Sequence, residues 1–191
     1  MSTKINSKHP YWFVRSFVER YFSEIHSFHF SYYDYIPQSL LDNRIMFSVT
    51  SKNFMDVEVI SSFLQAVPEN KELAFHSLVT MNDGVNLHIP MIDMFTNSVA
   101  QLTKLKPFLG EEFFKYFKWY RSGRSFHGYA NTLIDSQEWA AFMGTLLLVN
   151  QQGFVPTVDP RWIGHRLIAG YSALRWTKNT QQYLEAPKAI D

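Results

Sequence analysis

The chain contains no cysteine, so disulfides, thiolate nucleophiles and cysteine-ligated zinc are excluded from the outset. That absence fits a reducing compartment. Net charge is nearly missing too: 18 basic against 17 acidic residues leave +1, so nucleic-acid binding would have to rest on a local patch rather than a global field. No apolar run approaches the roughly twenty residues of a membrane helix, and the N-terminus lacks a signal-peptide pattern. Repeats, low-complexity tracts and composition breaks are likewise missing, which leads us to expect one soluble, cytoplasmic domain over residues 1–191.

What is abundant is aromatic and aliphatic surface. With 46% hydrophobic and 17% aromatic residues, the chain can build a core without staples, which excludes wholesale disorder. Ser7 to Ser27 reads as an amphipathic helix with Ser7 as N-cap and Pro10 near the first turn. His29 to Leu41 has no clear period and holds Pro37, so it reads as an irregular connector, its Tyr32, Tyr33 and Tyr35 serving packing in preference to base stacking. Arg44 to Thr50 suits a strand, and Asn53 to Val67 a helix. Leu73 to Thr80 and Val85 to Met94 suit a hairpin through Asn82-Asp83-Gly84. Phe113 to Arg121 and Ser125 to Asn131 bracket a second turn at Ser122-Gly123, with the first arm open to a helical reading instead, and Ser98 to Leu105 suits a short helix. A helix from Asp135, boxed by Glu138, a helix from Arg161 to Gly170 and a last strand from Tyr171 to Thr177 complete an α+β pattern.

Chemistry concentrates in three separated pieces. The first is Asp93, at the end of the apolar run His88-Ile89-Pro90-Met91-Ile92; a carboxylate there needs a partner or a cation, or else simply reaches water at a strand end. The second is Arg121-Ser122-Gly123-Arg124-Ser125-Phe126-His127-Gly128-Tyr129. On a strand, Ser125 and His127 share one face, Phe126 points to the core, and the neighbouring Arg121, Gly123 and Arg124 favour an anion nearby. The third is Val158-Asp159, where Asp159 before Pro160 reads first as a helix cap. Asp93 and Asp159 together offer hard oxygens suited to Mg²⁺ or Mn²⁺. Behind them Arg166, Arg175 and Lys178 either line a surface or flank the same cleft, with Trp162 and Trp176 read mainly as core.

In that order, Ile92-Asp93, Ser125-Phe126-His127 and Val158-Asp159 followed by a basic segment resemble the archaeo-eukaryotic primase superfamily, over roughly Leu87 to Lys178. The likeness is greatest to small stand-alone primase-like proteins of bacteria. It implies an RRM-like antiparallel sheet with packed helices, joined to a smaller N-terminal α/β unit. It also implies DNA replication chemistry: nucleotidyl transfer from a nucleoside triphosphate on a single-stranded DNA or RNA template. In that reading Asp93 and Asp159 hold the divalent metal and, with His127, form the catalytic set. Ser125 and His127 contact the triphosphate, and Arg124, Arg166, Arg175 and Lys178 are candidates for phosphate or template contacts. The family's first motif normally has a second acid two positions away, whereas Met91 and Phe95 flank Asp93 here. A weakened catalyst, an acid borrowed from Asp83 or Glu58, and a module that only binds nucleotide or nucleic acid all remain open, as does a partner subunit.

Overall fold

The structure is a computed structural model that describes residues 5–190. Helix α1 spans Pro10–Tyr21 and buries Tyr11, Val14, Phe17 and Val18 on one stripe. Its cap is His9, whose ring accepts from Tyr11 N, rather than the expected Ser7. The helix stops well short of Ser27 because strand β1, Ile25–Tyr33, begins after three turn residues. The first five of the thirteen residues expected as irregular are therefore strand. Its sequence lacks a two-residue period because both of its faces are covered: Phe28 and Phe30 are buried on one, Ser27 and Ser31 on the other.

Strand β2, Arg44–Thr50, pairs antiparallel with β1, and two short helices follow, α2 at Ser51–Met55 and α3 at Val57–Gln65. The single helix expected there breaks at Asp56, whose carboxylate accepts from Glu58 N and caps α3. Strand β3, Glu72–Met81, runs along β1, and its far edge carries two shorter partners. Strand β4, Asn86–His88, takes one stretch, and a late strand, Ala173–Arg175, takes the other. The turn at Asn82-Asp83-Gly84 forms as expected, with Gly84 at φ +85°.

The second expected arm of that hairpin divides at Ile89-Pro90. Strand β5, Met91–Asp93, belongs to another antiparallel sheet of order β5-β7-β6-β9, where β6 is Phe117–Arg121, β7 is Phe126–Ala130 and β9 is Lys188–Ala189. Proline has no N–H to give a ladder, which makes Pro90 a natural exit from the first sheet. Between β5 and β6 lie a 3₁₀ turn at Val99–Leu105 and two single-turn helices, α4 at Lys106–Leu109 and α5 at Glu111–Phe114, so the residues before Phe117 are helical rather than extended. Helix α6, Ser136–Leu148, has the expected box between Asp135 and Glu138, and α7, Pro160–Ala169, ends at left-handed Gly170. The strand Ala173–Arg175, β8, then returns to the first sheet.

Each sheet has its own apolar cluster. The first joins α1 to Phe28, Phe30, Phe54, Phe75 and Trp176, with Trp176 stacked on Phe75 at 4.6 Å. The second joins Ile92, Phe126 and Val158 to α6 and Ile163. The fold is α+β, with seven α-helices and two antiparallel sheets among the described residues. No helix among them is long and apolar enough to cross a membrane.

Candidate functional site

Strands β5 and β7 pair in the register Met91↔Tyr129, Ile92↔Gly128, Asp93↔His127. Directly opposed residues present side chains on the same face, so Asp93 and His127 stand together while Ile92 and Phe126 are buried in the second core. Residues 157–159 run along the other edge of β5. Met94 bridges Val158, Phe95 N donates to Thr157 O at 2.9 Å, and Asp159 N donates to Asp93 O at 2.9 Å. Asn150, just beyond α6, fixes that edge: its Oδ1 accepts from Thr157 N (2.8 Å) and Val158 N (3.0 Å), and its Nδ2 donates to Val158 O. Three pieces far apart in sequence thus meet on β5.

The electrostatics follow from this crowding. Asp93 Oδ1 lies 3.7 Å from His127 Nε2, beyond hydrogen-bonding distance. Burial, reinforced by the Asp159 carboxylate, pushes the Asp93 carboxyl well above its ordinary range, with Arg175 opposing. Burial, reinforced by Arg175, holds His127 well below its ordinary value, so its imidazole is neutral; its Nδ1 has no hydrogen-bond partner among the described residues. Asp159 does cap α7, one oxygen accepting from Arg161 N (2.8 Å) and Trp162 N (3.1 Å). The other oxygen carries no hydrogen bond to the backbone of that turn.

Among the described residues no group of three or more His, Cys, Asp or Glu side chains could enclose a metal ion. Two neighbouring carboxylates still suit Mg²⁺ or Mn²⁺ in the manner usual for Mg²⁺, with one or two protein carboxylates and the remaining positions filled by water and substrate phosphates. Burial contributes most to the rise of Asp93, and the added repulsion from Asp159 is the part that a cation between the two would relieve. The donor set fits a substrate-completed ion and does not fit an all-protein cage.

Two cavities share Asp93 and His127. One, of about 170 Å³, is bordered by Asp159, Arg161, Arg166, Arg175 and Asp42; the other, of about 340 Å³, by Ser122, Arg124, Ser125 and Gln182. Tyr35 and Tyr183 border both. Tyr183 stands at the partition, its hydroxyl 3.1 Å from that of buried Tyr33 and its ring 3.9 Å from the Arg175 guanidinium and 5.7 Å from the Tyr35 ring.

The cations singled out in the sequence fare differently. Arg124 is exposed on the β6–β7 turn beside Ser125, whose hydroxyl lies 3.2 Å from that of Ser122. Arg166 is buried and pairs with Asp42. Arg175 is buried as well, its Nη1 donating to Thr177 O and Glu185 O and its Nη2 to Ser122 O, which leaves Nε as its unpartnered donor. It therefore pins the C-terminal segment to the β6–β7 turn. Lys178 is exposed and borders neither cavity.

Asp83 and Glu58, considered as substitute acids, border neither cavity, whereas Asp34 and Asp42 border the smaller one, both ion-paired. Trp176 is core, and Trp162 is half-buried with its Nε1 on Ala173 O. Asp42, Asn150 and Tyr183 carry no sequence signal of their own, since each reaches the cleft only through tertiary contacts.

A family model described as archaeo-eukaryotic primase 1D-like matches residues 51–188. No curated protein and no solved structure matches the chain.

Proposed function

The chain belongs to the archaeo-eukaryotic primase 1D-like family, and on that premise we propose that it is a nucleotidyltransferase of the primase-polymerase type. It takes a nucleoside triphosphate into the cleft around Asp93 and His127 and adds the nucleotide to a strand on a single-stranded DNA or RNA template. The observation that carries this reading is the alignment of Asp93 with His127 across β5 and β7, with Asp159 on the other edge of β5.

In that reaction the strand's terminal hydroxyl oxygen bonds to the α-phosphorus and gives up its proton to water, the bond from that phosphorus to the bridging oxygen breaks, and pyrophosphate leaves with the electron pair. The chain's own groups bind and orient. Ser125 and Arg124 lie where they can donate to triphosphate oxygens, and neutral His127 can donate one ring N–H to the same group without adding charge beside Asp93. Mg²⁺ or Mn²⁺ held by Asp93 and Asp159 would neutralise charge on the attacking and leaving oxygens.

A second reading, nucleotide or nucleic-acid binding without transfer, is favoured by the same site's having only two suitably placed carboxylates among the described residues. Primer extension on single-stranded templates with Mn²⁺ separates the two. Incorporation that is lost in Asp93→Asn and Asp159→Asn supports transfer. Nucleotide binding by the unaltered chain with no incorporation on DNA or RNA templates refutes transfer and leaves the binding reading.

A further inference from the structure

Arg166 is 2% exposed, yet one of its terminal nitrogens faces no acceptor. Its Nη2 donates to Asp42 Oδ2, while Nη1 has no hydrogen-bond partner among the described residues. A buried guanidinium with an unmet N–H is costly, and its planar fork is shaped for two oxygens side by side. Asp42 supplies one of them, because the same carboxylate is also gripped by Arg44, whose Nε lies 2.9 Å from each of its oxygens. Both residues border the smaller cavity, whose lining sets Arg44, Arg161, Arg166 and Arg175 against Asp34, Asp42, Asp93 and Asp159, so withdrawing the Asp42 carboxylate would leave the recess with an excess of positive charge.

Asp42 sits on residues 34–43, which link β1 to β2 and are lightly held. Leu40 is 87% exposed and Leu41 69%, so the apolar side chains of this loop lie outside both cores. Its described tethers beyond Asp42 are the Lys71–Asp34 pair at its start, the contact of the Tyr35 ring with Tyr183 (5.7 Å), a bond from Arg161 Nη2 to Ser39 O (2.9 Å), and two local turn bonds. Moving the Asp42 carboxylate off Arg166 would unpack no core residue. It would also leave Asp42 its bond to Arg44, a residue on the same loop's exit.

We propose that Asp42 is a built-in occupant of a phosphoryl-binding site centred on Arg166, and that an incoming phosphoryl group takes Arg166 over while Asp42 retains Arg44. A terminal phosphoryl group has three free oxygens, enough to span Nη1 and Nη2 and still face Arg161, and a backbone phosphate has two, enough for the fork itself. The inference rests on the nucleotide reading of this cleft only for the source of that group, which is either a free triphosphate or a backbone phosphate of the strand. An ordinary structural ion pair makes the opposite prediction: loss of Asp42 would then weaken the fold and gain nothing in anion affinity.

The test uses the full chain, no divalent metal, and inorganic tripolyphosphate as probe, read by calorimetry. Asp42→Asn is expected to bind the probe about tenfold tighter than the unaltered chain, since it removes an anionic competitor of similar reach. Arg166→Gln in the same background is expected to abolish that gain. Equal or weaker binding by Asp42→Asn overturns the proposal. Should Asp42→Asn fail to fold, hydrogen exchange on the unaltered chain decides instead: tripolyphosphate is expected to speed exchange over residues 36–43, where a ligand merely resting on the loop would slow it. Unchanged or slowed exchange overturns the proposal as well.

Two further arms replace the probe with a nucleoside triphosphate and with a short single-stranded oligonucleotide. The one whose affinity falls with Arg166→Gln identifies the source, and independence of both from Arg166 refutes the site. Because these measurements need neither metal nor incorporation, failure of nucleotidyl transfer would leave them standing. Their own failure would in turn leave transfer through Asp93 and Asp159 untouched.

Discussion

Gly128 sits on β7 between His127 and Tyr129, opposite Trp119 on β6, and the indole ring lies flat against it. A Cβ at position 128 would stand 2.7 Å from Trp119 Cζ3, 2.9 Å from Cη2 and 3.0 Å from Cε3. To restore an ordinary carbon contact of ~3.5–4.0 Å, the ring would have to retreat by about 1 Å. It has little room, because Phe117 stacks on Trp119 at 5.7 Å and Phe114 packs beside it at 6.1 Å. Gly128→Ala is therefore expected to cost ~1–3 kcal/mol through overpacking. For a chain of this size each kcal/mol lowers Tm by about 2–4 °C. Urea and thermal unfolding followed by tryptophan fluorescence measure it. Trp119→Leu in the Gly128→Ala background should recover part of the loss, a non-additivity that identifies the pair as the source. A midpoint unchanged by Gly128→Ala would refute the reasoning by showing that Trp119 moves freely.

Three further outcomes are expected. His9 is buried, caps α1 through one ring nitrogen and donates through the other to Trp176 O, and burial holds its pKa down to about 4. A depressed imidazole leaves stability intact above the unfolded value near 6.5 and withdraws it as pH falls toward 4, on the order of 3 kcal/mol; His9→Gln should reduce that acid limb in denaturation profiles, leaving the shares of His88, also held at about 4, and of His29, His76 and His127, likewise held down by burial. Asp159→Ala should cost ~0.5–2 kcal/mol by losing the α7 cap, whereas Asp159→Asn keeps the cap; incorporation should vanish in both, so equal stability loss in the two variants would count against the cap. Buried Glu72 accepts from Thr177 Oγ1, Asn179 N, Thr180 N and Thr180 Oγ1. Glu72→Gln should destabilise by ~1.5–3 kcal/mol and speed tryptic cleavage after Lys178, and unchanged cleavage would contradict its role as anchor of that segment.

Local chemistry made some of this legible in the sequence. The Asp135–Glu138 box, the Asn82-Asp83-Gly84 turn, the left-handed stop at Gly170 and the alternation of Phe126 and His127 are each decided by residues within a few positions of one another, although Ser125, expected on the same strand, lies in the bend before it. What escaped was decided at a distance. β1 shows no period because its two faces are covered by different parts of the chain, and the run from Val85 to Met94 splits because Pro90 lies at a boundary between sheets. The site divides the same way. Asp93 stands out at the end of an apolar run, His127 in a basic, glycine-bent segment and Asp159 before Pro160, while Asp42 and Tyr183 approach from loops with no pattern of their own, and the burial of Arg166 and Arg175 depends on those loops.

The late arrival of β8 and β9 has a consequence for how the protein is made. β8 completes the edge of β3 and β9 the edge of β6, and the bond from Thr177 to Glu72 spans 105 positions. On the ribosome, the first sheet must wait with an open edge, and Trp176 missing from its core, until residues about a hundred positions after β3 have emerged. Such long-range closure slows folding and leaves unpaired edges exposed to other chains meanwhile. Yield in a cell should accordingly depend on elongation rate and chaperone supply more than the stability of the finished molecule would suggest.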